Sequence, residues 1–382
     1  MKKFIVLSFI ILIFIVSCTP KKNVSNLLKG KLTVNSFPEN TKIELLNQDK
    51  VVKLLILLHN RVGKDEILKE LNIGEEDYSN IINRLFAEGL IKTVEGNEFI
   101  PACMVITSED IKDIKNYVST FGAEVAEIII EKYSQAKEKY SQMNSFFNIP
   151  FEDASLFMLY SVMLDKWQVG NLVEIFLRSD IPQRGTNRSF VMIHQNDSAA
   201  STQKKVWLEN KSEDLEDYQL CAFGNLSGKD NFIDINRDQL ISDFMMREGS
   251  DEVAFKKKII DDLIKFLGGN INAANPNLTF PLNKYGLLYN NQLLLPIISK
   301  KDNEILVETA KLVTGNLINY LDNKRPTFVK KYLSTVYKDE TNFREWSFWI
   351  YKFIIEEAAR ILIDKGYVKP TERDLFYYLV LK

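Results

Sequence analysis

The chain has 382 residues, with 49 Lys+Arg, 51 Asp+Glu and a net charge near −2. Apolar residues make up 46% and charged residues 26%, which excludes a disordered chain, a collagen-like repeat and a small disulfide scaffold. There is no basic excess to attract nucleic acid, and two His and three Cys leave little for metal or nucleophile chemistry. The length fits two or three domains.

Met1-Lys2-Lys3 is followed by Phe4–Val16, apolar except for Ser8. This is a charged n-region and an h-region too short to span a bilayer comfortably. It ends Ile15-Val16-Ser17-Cys18, which resembles the lipobox of bacterial lipoproteins. The resemblance implies a signal peptide over 1–17, cleavage before Cys18, diacylglycerol on the Cys18 thiol and a fatty acyl group such as palmitate on the new N-terminus. Several acyl chains anchor stably where one does not. An ordinary signal peptide and an uncleaved anchor are the alternatives. Thr19 stands where lipoproteins held at an inner membrane carry Asp. The body is then expected on the bacterial membrane or cell envelope, facing outside the cytoplasm. There Cys103 and Cys221 either pair or stay as buried thiols.

Residues 18–46 are polar, with Pro20 and Pro38, and read as a lipidated tether. A domain over 47–106 follows. Val51, Val52, Leu54, Leu55, Leu57 and Leu58 predict a helix that is apolar on most sides. Lys64–Leu71 is a second helix and Glu76–Glu88 a third, stopped by Gly89. Leu90–Val94 and Glu98–Ile100, turned by Glu95-Gly96-Asn97, read as a two-stranded ribbon. Three helices and a ribbon, with the phrase Ile82-Asn83-Arg84-Leu85-Phe86-Ala87-Glu88-Gly89-Leu90-Ile91, resemble the winged helix-turn-helix of MarR- or ArsR-type regulators. The resemblance implies a contact face at Ser79, Asn80, Asn83 and Arg84. Asp49–Ile106 carries seven basic and ten acidic residues, so this surface repels a duplex, and one Arg cannot supply the phosphate contacts that dominate DNA affinity.

Residues 107–180 read as helical. Thr107-Ser108-Glu109-Asp110 is a capping-box pattern opening a long helix towards Gln142. An aromatic-rich helix is expected over about Phe151–Arg178. Ser299–Asp302 repeats the cap 192 residues on, after Pro296-Ile297-Ile298 as the first follows Met104-Val105-Ile106. A second aromatic helix is expected over about Asn342–Lys365, and upstream Phe255–Leu267 is helical and Asn290-Asn291 turns a ribbon. An internal duplication, with 251–382 as a degenerate second winged-helix half, is one expectation; two unrelated amphipathic helices are the other. The layout resembles a group of uncharacterised prokaryotic proteins with an N-terminal winged helix and a Trp/Tyr-rich C-terminal helix, which implies a fold and no chemistry.

Residues 181–250 are β-containing: Ser189–His194, Lys205–Leu208 and Tyr218–Phe223 read as a small meander. Arg184 and Arg188 beside Gly185, with His194 and Trp207, form a candidate ligand site for a carboxylate or phosphate; a solvated turn is the alternative. Gly224–Asp230 fails as a phosphate loop, being one residue short and ending in Asp. Asp234–Asp238 has the odd-position oxygens of a calcium loop but lacks its Gly and its bidentate Glu, so a helix N-terminus is expected. There is no His-Glu-x-x-His, Gly-x-Ser-x-Gly or Cys-x-x-Cys. Glu356 and Glu357 diverge by about 100° on a helix and make no acid/base pair. His59 and His194 read as structural.

The expectation is therefore an α+β, mainly α lipoprotein with a small antiparallel sheet. It is expected to be a non-enzymatic binding or assembly module with no metal or cofactor. A protein or small-molecule partner, or a homodimer, would meet the helix-turn-helix face or a cleft between halves, with Phe343–Phe353 supplying aromatic surface. A membrane-associated DNA-binding regulator and an envelope hydrolase are the alternatives.

Overall fold

The computed structural model describes residues 24–38, 41, 43–175, 181–196, 208–226, 230–265, 276–289, 292–369 and 375–382. The expected signal segment, Cys18 and Trp207 lie outside them. The fold is α+β and mainly helical.

The first half runs α1 (Val24–Leu27), β1 (Lys31–Phe37), three helices α2 (Asp49–His59), α3 (Lys64–Leu71) and α4 (Glu75–Ala87), and a ribbon of β2 (Ile91–Val94) and β3 (Glu98–Pro101). A short strand β4 (Met104–Ile106) leads into α5 (Ser108–Ile130), α6 (Tyr133–Ser141), α7 (Phe151–Leu156), a π-helical stretch Phe157–Val162 and α8 (Val169–Ile175). A hairpin of β5 (Gln183–Arg184) and β6 (Asn187–Arg188) then opens β7 (Phe190–Asn196). The second half has β8 (Glu209–Leu215), β9 (Tyr218–Gly224), α9 (Arg237–Phe244), α10 (Glu252–Lys265), α11 (Pro276–Lys284), β10 (Leu288–Tyr289), β11 (Gln292–Leu293) and β12 (Ile297–Ile298). It ends with α12 (Lys300–Leu333), α13 (Tyr337–Glu340), α14 (Phe343–Asp364) and β13 (Leu375–Leu381).

Local chemistry sets these boundaries. Thr107 and Asp110 close a reciprocal capping box on α5. Ser299 and Asn342 accept the N3 amides of α12 and α14. Gly89 takes φ 65° after α4, where a Cβ would meet the Gln183 carbonyl at 2.9 Å. The calcium-like run resolves into a cap: Asn236 and Gln239 box the start of α9.

Two sheets organise five layers. One has the order β1-β7-β4, with β7 antiparallel to β1 and parallel to β4. The other has the order β12-β13-β9-β8, with β13 parallel to β12 and antiparallel to β9. Strand alternation sends Val191 and Ile193 outward to α2–α4, and Phe190 and Met192 inward to the central helices. In the second sheet Leu220, Ala222, Tyr377 and Leu379 face α9–α11, while Phe223, Phe376 and Tyr378 face the same central helices.

The central layer is exchanged between halves. Helix α14 packs along α5 and inserts Phe348 into the first sheet, 4.7 Å from Phe37 and 5.2 Å from Phe190. The first half's π-helical stretch places Phe157 on the second sheet, 4.9 Å from Phe376 and 5.2 Å from Tyr378.

Several expectations are corrected. The tether over 18–46 contains a strand: β1 pairs along its whole length with β7, its Leu32 packing outward and its Phe37 inward. The helix towards Gln142 breaks at Glu131-Lys132 into α5 and α6. The helix over Phe151–Arg178 is interrupted after the π-helical stretch, where the amides of Leu164 and Asp165 both bond the Tyr160 carbonyl. Among the described residues the meander does not form: β7, apolar on both faces, takes distant β1 and β4 as partners, and β9 lies in the other sheet. Lys205–Trp207 lie outside the described residues, and the next described strand begins at Glu209. Asn290-Asn291 lies outside the described residues, but its flanks pair as β10 and β11.

Candidate functional site

The anion grip expected from Arg184, Arg188, His194 and Trp207 does not assemble among the described residues. Hairpin alternation points Arg188 to solvent and Arg184 into the protein. Arg184 is 3% exposed and donates to the carbonyls of Gly89 and Ala102 and, at 2.9 Å, to the fully buried Glu345 of α14. Glu345 also accepts from Thr341 Oγ1 and the Val191 amide. Burial pushes its carboxyl up, and Arg184 pulls against that shift. His194 is buried on β7, edge-on to Phe353.

A second buried charge cluster joins α2, α5 and α13. His59 Nδ1 lies 2.7 Å from Glu340 and Nε2 3.4 Å from Asp110. Burial alone would lower the imidazole pKa; the hydrogen bonds and charges of Asp110 and Glu340 outweigh it and raise it to about 9. Arg61 reaches the same Glu340 at 3.6 Å. His59 and Glu340 are thus an interior fastening, with Arg61 and Asp110 at its partly exposed edge.

The expected helix-turn-helix face is at the surface. Ser79, Asn80, Asn83 and Arg84 are all exposed on α4. Ser79 and Asn83 border a groove of about 450 Å³ between α3, α4 and the ribbon. Of the cations bordering it, Arg61 turns to Glu340 and Lys64 pairs with Glu75. Both are engaged within the protein rather than held out for phosphates.

A smaller cavity, about 110 Å³, lies between the two sheets. The edge strand β1 supplies Asn35 and Phe37, the edge strand β8 supplies Glu209 and Lys211, and the π-helical stretch supplies Tyr160. Helix α14 forms the remaining wall with Phe348, Trp349, Lys352 and Glu356, an i, i+4 set on one face. Lys352 is bonded to buried Asp165, which also accepts from Asn210 at 2.9 Å. π-Helical turns recur at functional sites, and this one carries Tyr160 to the cavity wall.

Three polar groups on residues bordering this cavity make no hydrogen bond among the described residues, two of them buried and Glu356 half-buried. The Trp349 indole N–H and the Asn35 Oδ1 are buried without a hydrogen bond, a costly state in a packed interior. Glu356 makes no hydrogen bond or ion pair among the described residues, and burial holds its carboxyl well above the usual carboxylate range. Its neighbour Glu357 turns away to bond Arg360, as their divergence on the helix requires. The sequence pointed to the aromatic helix but not to Glu356, because a lone Glu on an aromatic helix has no spacing signal.

Cys103 and Cys221 are buried and are not bridged to each other; burial pushes the Cys103 thiol up to about 12. Among the described residues no group of three or more His, Cys, Asp or Glu is placed to hold a metal, and no helix is long and apolar enough to cross a membrane. No family model, curated protein or solved structure matches this chain.

Proposed function

We propose that this chain is a bacterial lipoprotein, anchored outside the cytoplasm through Cys18, that works as a non-enzymatic binding or assembly module. The observation that carries the binding role is the cavity between the two sheets, bordered by aromatic rings, by Glu356 and by residues whose buried polar atoms make no hydrogen bond among the described residues. The anchor rests on the Ile15-Val16-Ser17-Cys18 lipobox.

We read residues 47–106 as a winged helix and the half over 251–382 as carrying its degenerate second copy, whose first helix begins earlier, at Arg237. In support, three helices, a ribbon, a short strand, a capped helix, an aromatic helix and a returning strand follow one another in both halves. In both sheets the returning strand sits between one antiparallel and one parallel neighbour. With a net acidic surface, the α4 face suits a protein partner better than a duplex.

Two observations favour other readings. Exposure of Asn80, Asn83 and Arg84 favours a regulator if the body is inside the cell. Glu209 and Glu356 bordering one cavity favour an envelope hydrolase. Labelled palmitate fed to cells making wild type or Cys18→Ala, with protease shaving of spheroplasts, decides the first. Label that depends on Cys18 and a protease-sensitive body support the lipoprotein. An unlabelled, protected body sinks it and leaves the regulator standing.

A further inference from the structure

We infer that the cavity between the two sheets receives a small organic ammonium compound that also carries an oxygen acceptor, with the ammonium against Glu356 and the oxygen on the Trp349 indole N–H. This rests on reading the cavity as the ligand site and names the ligand's chemistry.

The size is the first constraint. About 110 Å³ is well below the roughly 300–1,000 Å³ of a site for a drug-sized ligand, so a small molecule suits it. The wall is the second. Phe37, Tyr160, Phe348 and Trp349 give an aromatic lining, which attracts an ammonium through the ring faces. The chain already uses this chemistry: the Lys352 ammonium sits 5.9 Å from the Phe348 ring centre while bonded to Asp165.

The unpartnered groups are the third. Trp349 is 2% exposed and its N–H needs an acceptor. Asn35 Oδ1 needs a donor. Among the described residues Glu356 has no bonded cation of its own. The charges that act on it include Lys352 from α14, Lys115 from α5, Glu209 from β8 and Asp165 from the turn after the π-helical stretch, and Lys211 of β8, which also borders the cavity, is paired with Asp234. Both lysines lower its pKa, but burial and the two carboxylates prevail. An ammonium bound beside it favours the ionised carboxyl, so binding is expected to be coupled to proton release.

The test uses the full chain in detergent, with ethanolamine as probe and ethylene glycol and glycolate as neutral and anionic counterparts. Tryptophan fluorescence is read against concentration at several pH values, and Trp349→Phe assigns the signal. Saturable ethanolamine binding is expected, with affinity rising with pH. Glu356→Gln is expected to weaken binding at least tenfold and flatten the pH slope; the wild-type slope serves if that variant fails to fold. A pH-independent affinity overturns the proposal. Saturable binding of ethylene glycol or glycolate instead overturns the ammonium assignment but keeps the cavity as a ligand site. Silence with all three overturns both. Glycerophosphoethanolamine separates the sources: equal affinity supports a lipid headgroup, exclusion supports a free ammonium compound.

Discussion

Arg184 and Glu345 stand 161 residues apart in sequence and 2.9 Å apart in the fold, both buried. The pair ties the hairpin before β7 to the aromatic helix of the other half. Removing one member of such a pair strands the other charge, which costs about 3–5 kcal/mol. Arg184→Ala is expected to lower unfolding stability in urea by that amount. Arg184→Met with Glu345→Leu should recover most of it.

His59 predicts an alkaline weakness. Its folded pKa is raised from 6.5 to about 9, so its contribution is complete below about pH 6.5 and is lost as pH rises through 9. The size is on the order of 3 kcal/mol. Urea midpoints measured at pH 6, 8 and 10 should fall for the wild type and stay level for His59→Gln across that window.

The exchanged aromatic residues predict one unfolding event. Phe157→Ala and Phe348→Ala should each cost about 3–5 kcal/mol. Far-ultraviolet circular dichroism and tryptophan fluorescence should still move together. Two separated transitions would show that the halves stand without their exchanged helices.

Cys103 and Cys221, buried and not bridged to each other, should ignore a thiol reagent at pH 8 in the native protein and react on unfolding. Rapid native labelling at either position would place that thiol at the surface.

Local order was legible in the sequence. Helices α2, α3, α4, α10 and α14 lie within a few residues of their expected bounds, because apolar spacing and cap residues act over a single turn or two. What escaped was non-local. Lys31–Phe37 carries Lys, Thr, Asn and Ser and resembles a tether until β7 arrives beside it, 160 residues later. The π-helical stretch Phe157–Val162 has helical periodicity and no mark of its widened turn. Arg184, Glu345 and Glu340 are charged residues that sequence assigns to the surface; only their mutual placement allows burial. For the candidate site, the helix Phe343–Phe353 was identified and its role as cavity wall expected. Arg184 and His194 were assigned to ligand contact, and packing took both.

The exchange of helices also sets an order in time. The first sheet is complete in sequence at Asn196, yet the helix that covers its inner face begins at Phe343. At ribosomal rates of about 5–20 residues per second, the sheet completed at Asn196 waits roughly 8–30 s for Phe348. During that interval the newborn first half carries an uncovered aromatic face. A chain truncated before α14 is therefore expected to depend on a holding chaperone, and the last helix made is the one that seals the first sheet.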